Sequence, residues 1–282
     1  MDSTVMPTAR ARFSAEAVKR VASAIVFIPL FVWMVSRGPQ WVFVLFVAAV
    51  AGMGAWELAR LFERAGVPTY TRLGPAAAVA VTVSFALPHR DPPAALIVLT
   101  LAVAVVLTAS LRSRGTLSIE PVATTLLAVL YVGWFLGHAV LLYRLTNGGA
   151  VVLLLVGTTW LGESAAYAVG SSMGRHPLAP VISPRKTVEG AVAQVIASAL
   201  GALVLGAWLL PEWGVPATLG AGVVLGLVGQ VGDLAESVIK RSVGAKDSGT
   251  LIPGHGGLLD RVDGLLLNAP ALYYYAVLGA VA

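Results

Sequence analysis

Cysteine is absent from all 282 residues, which excludes disulfides, thiolate nucleophiles and cysteine-held metals and leaves the redox compartment open. Histidine is scarce at four, and Asp, Glu, Lys and Arg together make only 12% of the chain. The GxxxxGK[ST] phosphate loop is missing. Zinc-finger spacings, RNA-binding module patterns and interleaved aromatic and basic side chains are missing too, so the net charge of +5 requires no nucleic acid. No clean small-residue cleavage site follows Arg10, Arg12, Lys19 and Arg20, so the first apolar run reads as a span and not as a removed leader.

Apolar sequence fills the space that charge leaves. Hydrophobic residues make up 57% of the chain, mean hydropathy is +0.84, and apolar runs recur throughout. Nine candidate spans lie at about 19–36, 40–59, 74–88, 93–110, 122–143, 149–170, 190–210, 216–239 and 262–281, the third being the shortest. Runs this long far exceed the roughly 10 residues of a barrel strand, so the fold class is all-α, a polytopic integral membrane protein with about nine transmembrane helices. Sixteen of the nineteen Lys and Arg residues fall on alternate polar segments beginning with the N-terminus, and Arg37, Arg90 and Arg144 fall on the others. This asymmetry predicts an inner (plasma) membrane protein with a cytoplasmic N-terminus and a C-terminus on the opposite side. The polar loops at 171–189 and 240–261 then face the cytoplasm. Some of the basic residues can also attract anionic membrane phospholipids.

The chain divides loosely at Pro121. An N-terminal transmembrane region, 1–120, carries almost no internal charge, and its main exception, Glu57, reads as an end-of-helix group beside Arg60 and Glu63. In the C-terminal region, 121–282, Glu163, Asp233 and Glu236 fall within or near the ends of apolar spans, where polar groups are functional candidates because lipid exposure is costly.

The densest charge lies between Asp233 and Asp263, a stretch holding five acids, four bases and His255. Helical spacing places Asp233, Glu236, Ser237 and Lys240 on one face. Asp260 and Asp263 are three apart at the start of the last span, where carboxylates also suit a helix N-terminus. Two helices could therefore present Asp233 and Asp260 to a shared divalent cation, and an all-oxygen site suits magnesium. Between the helices, GTLIPGHGG (249–257) exposes backbone amides through Pro253, Gly254, Gly256 and Gly257, flanked by Lys240, Arg241, Lys246 and Arg261 as countercharge for phosphate. His255 could bind phosphate, carry a proton or clamp the backbone. In the other polar loop, Ser183 or Thr187 can cap the following helix while Arg185 and Lys186 point toward anions.

The stretch SVIKRSVGAKDSGTLIPGHGGLLDRVD, 237–263, closely resembles the hallmark of phosphatidate cytidylyltransferases, the CDP-diacylglycerol synthases, and SPRKTVEG, 183–190, resembles a second motif upstream. The matching residues include Asp233, Glu236, Ser237, Lys240, Arg241, Lys246, Asp247, His255, Gly256, Gly257, Asp260, Arg261 and Asp263. The resemblance covers the chain from roughly 160 onward. It implies a membrane enzyme, a homodimer, that joins CTP to phosphatidate to give CDP-diacylglycerol and pyrophosphate. It further implies magnesium held by Asp233 and Asp260, with Glu236, Asp263 and Glu163 as further ligand candidates and potassium as a candidate second cation. In that reading Lys240, Arg241, Lys246 and Arg261 clamp phosphates, and Arg185 and Lys186 approach from the neighbouring loop. One departure stands out: where the family has an Asp and then a Gly-Ala-Tyr stretch, this chain has Glu163, Ser164, Ala165, Ala166 and Tyr167. Two other readings stay open: transfer to another membrane lipid such as a polyprenol, and a transporter whose Asp233 and Glu236 line a cation pathway.

Overall fold

A backbone in hydrocarbon has no water to bond, so apolar runs close their hydrogen bonds internally as helices. The computed structural model, which describes residues 25–88, 93–112, 118–249 and 256–279, follows this rule throughout. Among the described residues nine apolar helices run in order. They are α1 (Ile25–Arg37), α2 (Gln40–Arg64), α3 (Leu73–Ser84), α4 (Ala94–Ala109), α5 (Glu120–Tyr143), α6 (Gly148–Met173), α7 (Val188–Leu209), α8 (Gly214–Ser242) and α9 (Leu259–Leu278). Each overlaps one of the nine intervals expected from the apolar runs, of which residues 19–24 and 280–281 lie outside the described residues.

Among the described residues five stretches are long and apolar enough to cross a membrane: α2, α5, α6, α7, and α8 together with the short turn before it. The chain is thus an all-α membrane protein. By length α3 reaches about 18 Å, well short of a hydrocarbon core of about 30 Å.

Two local features were not expected. Within α5 the helix widens to a π-helical turn over Ala128–Trp134, and the Thr82 hydroxyl of α3 donates to the Gly133 carbonyl at 2.9 Å. Gly133 allows this approach, because a Cβ there would lie 2.7 Å from the Cα of Ala78. The polar loop after α6 also carries an antiparallel hairpin, β1 (Pro177–Ala179) and β2 (Ser183–Thr187), with Pro177 opposite Thr187 and Ala179 opposite Ser183. Of the two expected caps, Thr187 caps α7 by accepting from the Gly190 amide at 3.2 Å, and Ser183 opens β2 instead.

Small residues set the helix spacing on the C-terminal side, as expected where lipid gives apolar faces no reason to separate from it. Gly226 of α8 sits against the Val195 backbone of α7, and Gly232 of α8 sits against the Asp263 carbonyl of α9. Outward on α7, Leu200, Val204 and Trp208 are exposed. The central helix is α9, which packs on α8, α5, α6 and α2.

A Cβ at Gly222 would lie 2.6 Å from the Ser198 carbonyl oxygen and 2.7 Å from the Ala199 Cα. Gly222→Ala is therefore expected to push α7 from α8 and cost about 1–3 kcal/mol. Thermal unfolding in detergent should show the loss, and Val204→Leu on the outward face should leave the midpoint unchanged.

Candidate active site

The end of α8 delivers its charged face as the helical period requires. Glu236 is fully buried, and its Oε2 accepts from Lys240 Nζ at 2.9 Å, one turn on. The same ammonium reaches Asp260 Oδ1 on α9 at 2.6 Å, so a single cation ties the two helices. The other oxygen of Asp260 accepts from the Ser248 amide, the Ser248 hydroxyl and the Gly257 amide, each at 3.0 Å. Gly256 makes the turn into α9 with φ of 81°, a left-handed conformation that glycine adopts without strain.

Close approach of α8 and α9 at Gly232 gathers a second group. Among the described residues, carboxylate oxygens of Asp233, Glu236 and Asp263 lie within 4.8 Å of one another. Asp263 Oδ1 accepts from the Gly264 amide at 2.9 Å. Lys186 Nζ, from β2, pairs with Asp233 Oδ2 at 2.6 Å. Glu163 comes across from α6 to the same place, since a Cβ on Gly264 would run into its Oε1.

Two unit charges about 4 Å apart interact by roughly 4 kcal/mol at an effective dielectric of about 20, so three clustered carboxylates are suited to added positive charge. Among the described residues the buried Glu236 Oε1 has no hydrogen-bond partner. An oxygen-only donor set with an unsatisfied acceptor fits a hard cation such as magnesium. Asp260 falls outside this group. In the chain by itself Lys240 and the Ser248–Gly257 donors engage both oxygens of Asp260, while Asp233 lies beside Glu236 and Asp263.

The hairpin is tied back to the helices. Glu189, in the first turn of α7, accepts from the Arg175 and His176 amides at 3.1 and 3.3 Å and meets His176 Nδ1 at 2.6 Å. A cavity of about 560 Å³ opens beneath, between α6, the hairpin, α7 and α8. Glu163, Tyr167, Arg185, Lys186, Gln194, Gln230 and Asp233 line it. Gln230 Nε2 donates to Gln194 Oε1 at 3.0 Å and to the Ala191 carbonyl at 3.2 Å.

The other expected site residues are placed less centrally. Arg241 donates to the Ile182 and Ala245 carbonyls at 3.3 and 2.6 Å, joining the hairpin to the end of α8. Ser183 is not among the cavity's lining residues. Lys246 and Arg261 are exposed, and His255 lies outside the described residues.

One residue was misread from the sequence. Glu57 is 2% exposed, and its Oε2 accepts from the Leu259 amide at 2.8 Å and the Ser248 hydroxyl at 3.1 Å. The surface charge expected at that helix end belongs instead to the Arg60–Glu63 pair, at 2.5 Å. Helical phase carried the signal, because Glu57 shares the stripe of Gly54, Leu58 and Leu61, all buried, while Arg60, Glu63 and Arg64 share the exposed one.

Several sequence relatives carry informative names. The chain is 46% identical over 134 residues to a phosphatidate cytidylyltransferase of Synechocystis, covering 47% of this chain and 45% of that protein. It is 38% identical over 168 residues to a phosphatidate cytidylyltransferase of Staphylococcus aureus, covering 60% and 64%. To YnbB, an uncharacterized protein of Escherichia coli, it is 42% identical over 158 residues, covering 52% and 53%. The chain thus spans about half the length of the first of the curated relatives it matches. The match to the cytidylyltransferase family model is far longer, from residue 18 to residue 278, and the chain belongs to the cytidylyltransferase family.

Proposed function

We propose that the protein transfers a cytidylyl group from CTP to phosphatidate, giving CDP-diacylglycerol and pyrophosphate. The observation that carries this reading is a cavity that brings Arg185 and Lys186 against Asp233, whose carboxylate in turn lies beside those of Glu236 and Asp263. Two polyanionic substrates can meet only where cations offset their repulsion, and family membership supports CTP as one of them.

Arg185 and Lys186 would hold CTP phosphates in the cavity, the guanidinium as a bidentate fork and the ammonium as a point charge. Asp233, Glu236 and Asp263 would hold a magnesium ion, which would neutralise phosphate charge and favour attack at phosphorus. A phosphatidate phosphate oxygen then attacks the α-phosphorus in line. The bond from that phosphorus to the bridging oxygen breaks, and pyrophosphate leaves with the electron pair. No protein nucleophile is needed, because the oriented phosphate monoester is already an anionic nucleophile. Asp260 would act by fixing Lys240 between the helices, and Lys246, Arg261 and His255 would meet phosphates from the glycine-rich loop. Arg241 would keep that loop and the hairpin in register.

The basic residues on alternate segments support nine crossings, a cytoplasmic site and N-terminus, and a C-terminus across the inner membrane. CTP would then arrive from the cytoplasm and phosphatidate laterally from the bilayer, with residues 121–282 forming the catalytic region and 1–120 supporting it. The resemblance adds a homodimer and a potassium ion to this reading.

Purified protein in liposomes, given labelled CTP, phosphatidate and Mg²⁺, is expected to make CDP-diacylglycerol and to stop on chelation with EDTA. Nucleotide binding without product would sink the assignment, and product from a polyprenol phosphate but not from phosphatidate would redirect it. Asp263→Asn and Glu236→Gln should each lower turnover by about a hundredfold or more if these carboxylates surround the reacting phosphates. Retention of full turnover by both, in folded protein, would remove them from the site. Glu163 extends its carboxylate roughly 1.5 Å beyond an aspartate. Glu163→Asp is expected to raise turnover, by up to about tenfold, if that extra length displaces the site; an unchanged rate with normal folding counts against it.

A further inference from the structure

Glu57 takes no part in the chemistry above, yet α2 carries it 191 residues away in sequence to Ser248 and 202 away to Leu259. A carboxylate buried in an apolar helix is costly unless something needs it there. Its Oε2 accepts from the first amide of α9 at 2.8 Å, a position where negative charge also suits the helix dipole. It accepts as well from the Ser248 hydroxyl at 3.1 Å, and that hydroxyl lies 3.0 Å from Asp260 Oδ2. The one hydroxyl proton of Ser248 is shared between these two acceptors, so its oxygen sits between the carboxylates and links Glu57 to Asp260.

Two glycines are shaped to this contact. A Cβ on Gly257 would lie 2.7 Å from both oxygens of Glu57 and would overlap the Ser248 hydroxyl. A Cβ on Gly249 would overlap Glu57 Oε1. Part of the glycine content of this segment is therefore explained by backbone closing over a carboxylate from the first half of the chain, and not by phosphate alone.

We propose that Glu57 is a positioning residue: by holding Ser248 and the start of α9 it fixes the Asp260 carboxylate that grips Lys240. The inference rests on the cytidylyl-transfer reading for its catalytic consequence, but the hold itself can be measured without substrate. The chain has no cysteine, so Leu259→Cys introduces a unique thiol at a fully buried side chain beside this contact. With Glu57 present, N-ethylmaleimide should label that thiol slowly in liposomes. Glu57→Ala should speed labelling by about tenfold or more, the range expected for loss of a charge-assisted hydrogen bond.

In the cysteine-free background, Glu57→Ala should lower kcat about tenfold and leave the KM for CTP within about twofold. Glu57→Gln, which keeps the shape and an acceptor for the Leu259 amide, should recover part of both effects. Should Glu57→Ala not fold, Ser248→Ala breaks the bridge alone and should lower kcat with the same unchanged KM. Labelling no faster than in the parent overturns the proposal, as does faster labelling with an unaltered kcat. Absence of product from the parent defeats the transfer reaction instead, and the labelling rates still decide whether Glu57 holds the loop.

Discussion

Lys240 stands between Glu236 and Asp260, and the ends of α8 and α9 are arranged around that ammonium. Its side chain and that of Asp260 are each 11% exposed, and Glu236 is fully buried. Charges so withdrawn from water are tolerated only when paired and when their remaining valences are met by hydrogen bonds. Lys240 meets the first condition for two carboxylates on two helices at once. The turn before α9 meets the second by turning three donors from Ser248 and Gly257 toward one oxygen of Asp260. Removing any partner would strand a charge, which makes this junction a rigid frame. Against that frame lies the trio Asp233, Glu236 and Asp263, of which Asp233 reaches the cavity and Glu236 keeps an acceptor without a partner among the described residues.

The helices were legible because a membrane protein writes them as long apolar runs, a signal that needs no tertiary information. The loops were legible as chemistry but not as shape. SPRKT contains no alternation of apolar and polar residues that would announce a strand, and β2 forms by pairing with β1, whose approach Glu189 fixes through the Arg175 and His176 amides. The π-helical turn in α5 depends on Gly133 meeting Ala78 on another helix, which the local sequence of α5 does not encode.

The site residues divide the same way. Spacing along α8 put Asp233, Glu236 and Lys240 on one face, which is where they lie. Which carboxylate of α9 would join them could not be read from spacing, because Asp260 and Asp263 sit three apart and face the same neighbour. The choice is made by reach: Lys240 extends to Asp260, and Gly232 lets α9 approach until Asp263 is the one beside Asp233. Glu57 was hidden by its neighbours. Arg60 and Glu63 offered it a plausible surface network, and only the buried phase of Gly54, Leu58 and Leu61 distinguishes it from them.

The depth of the charged cluster follows from the two kinds of molecule it would join. In the proposed reaction one substrate is anchored by acyl chains and cannot leave the bilayer, whereas the other is a water-borne triphosphate. A site wholly in a cytoplasmic loop would have to lift the lipid phosphate out of the headgroup layer, and one deep in the helices would have to desolvate a nucleotide's charge. Glu163, Asp233 and Asp263 lie instead within about three turns of helix ends, and Arg185 and Lys186 lean in from the hairpin above them. Helices α7 and α8, which wall the cavity, expose much of their remaining surface as apolar side chains such as Leu200, Val204, Leu227 and Val231. A phosphate held at Lys186 could keep its tails along those faces, so the polarity gradient of the substrate and that of the protein would run in the same direction.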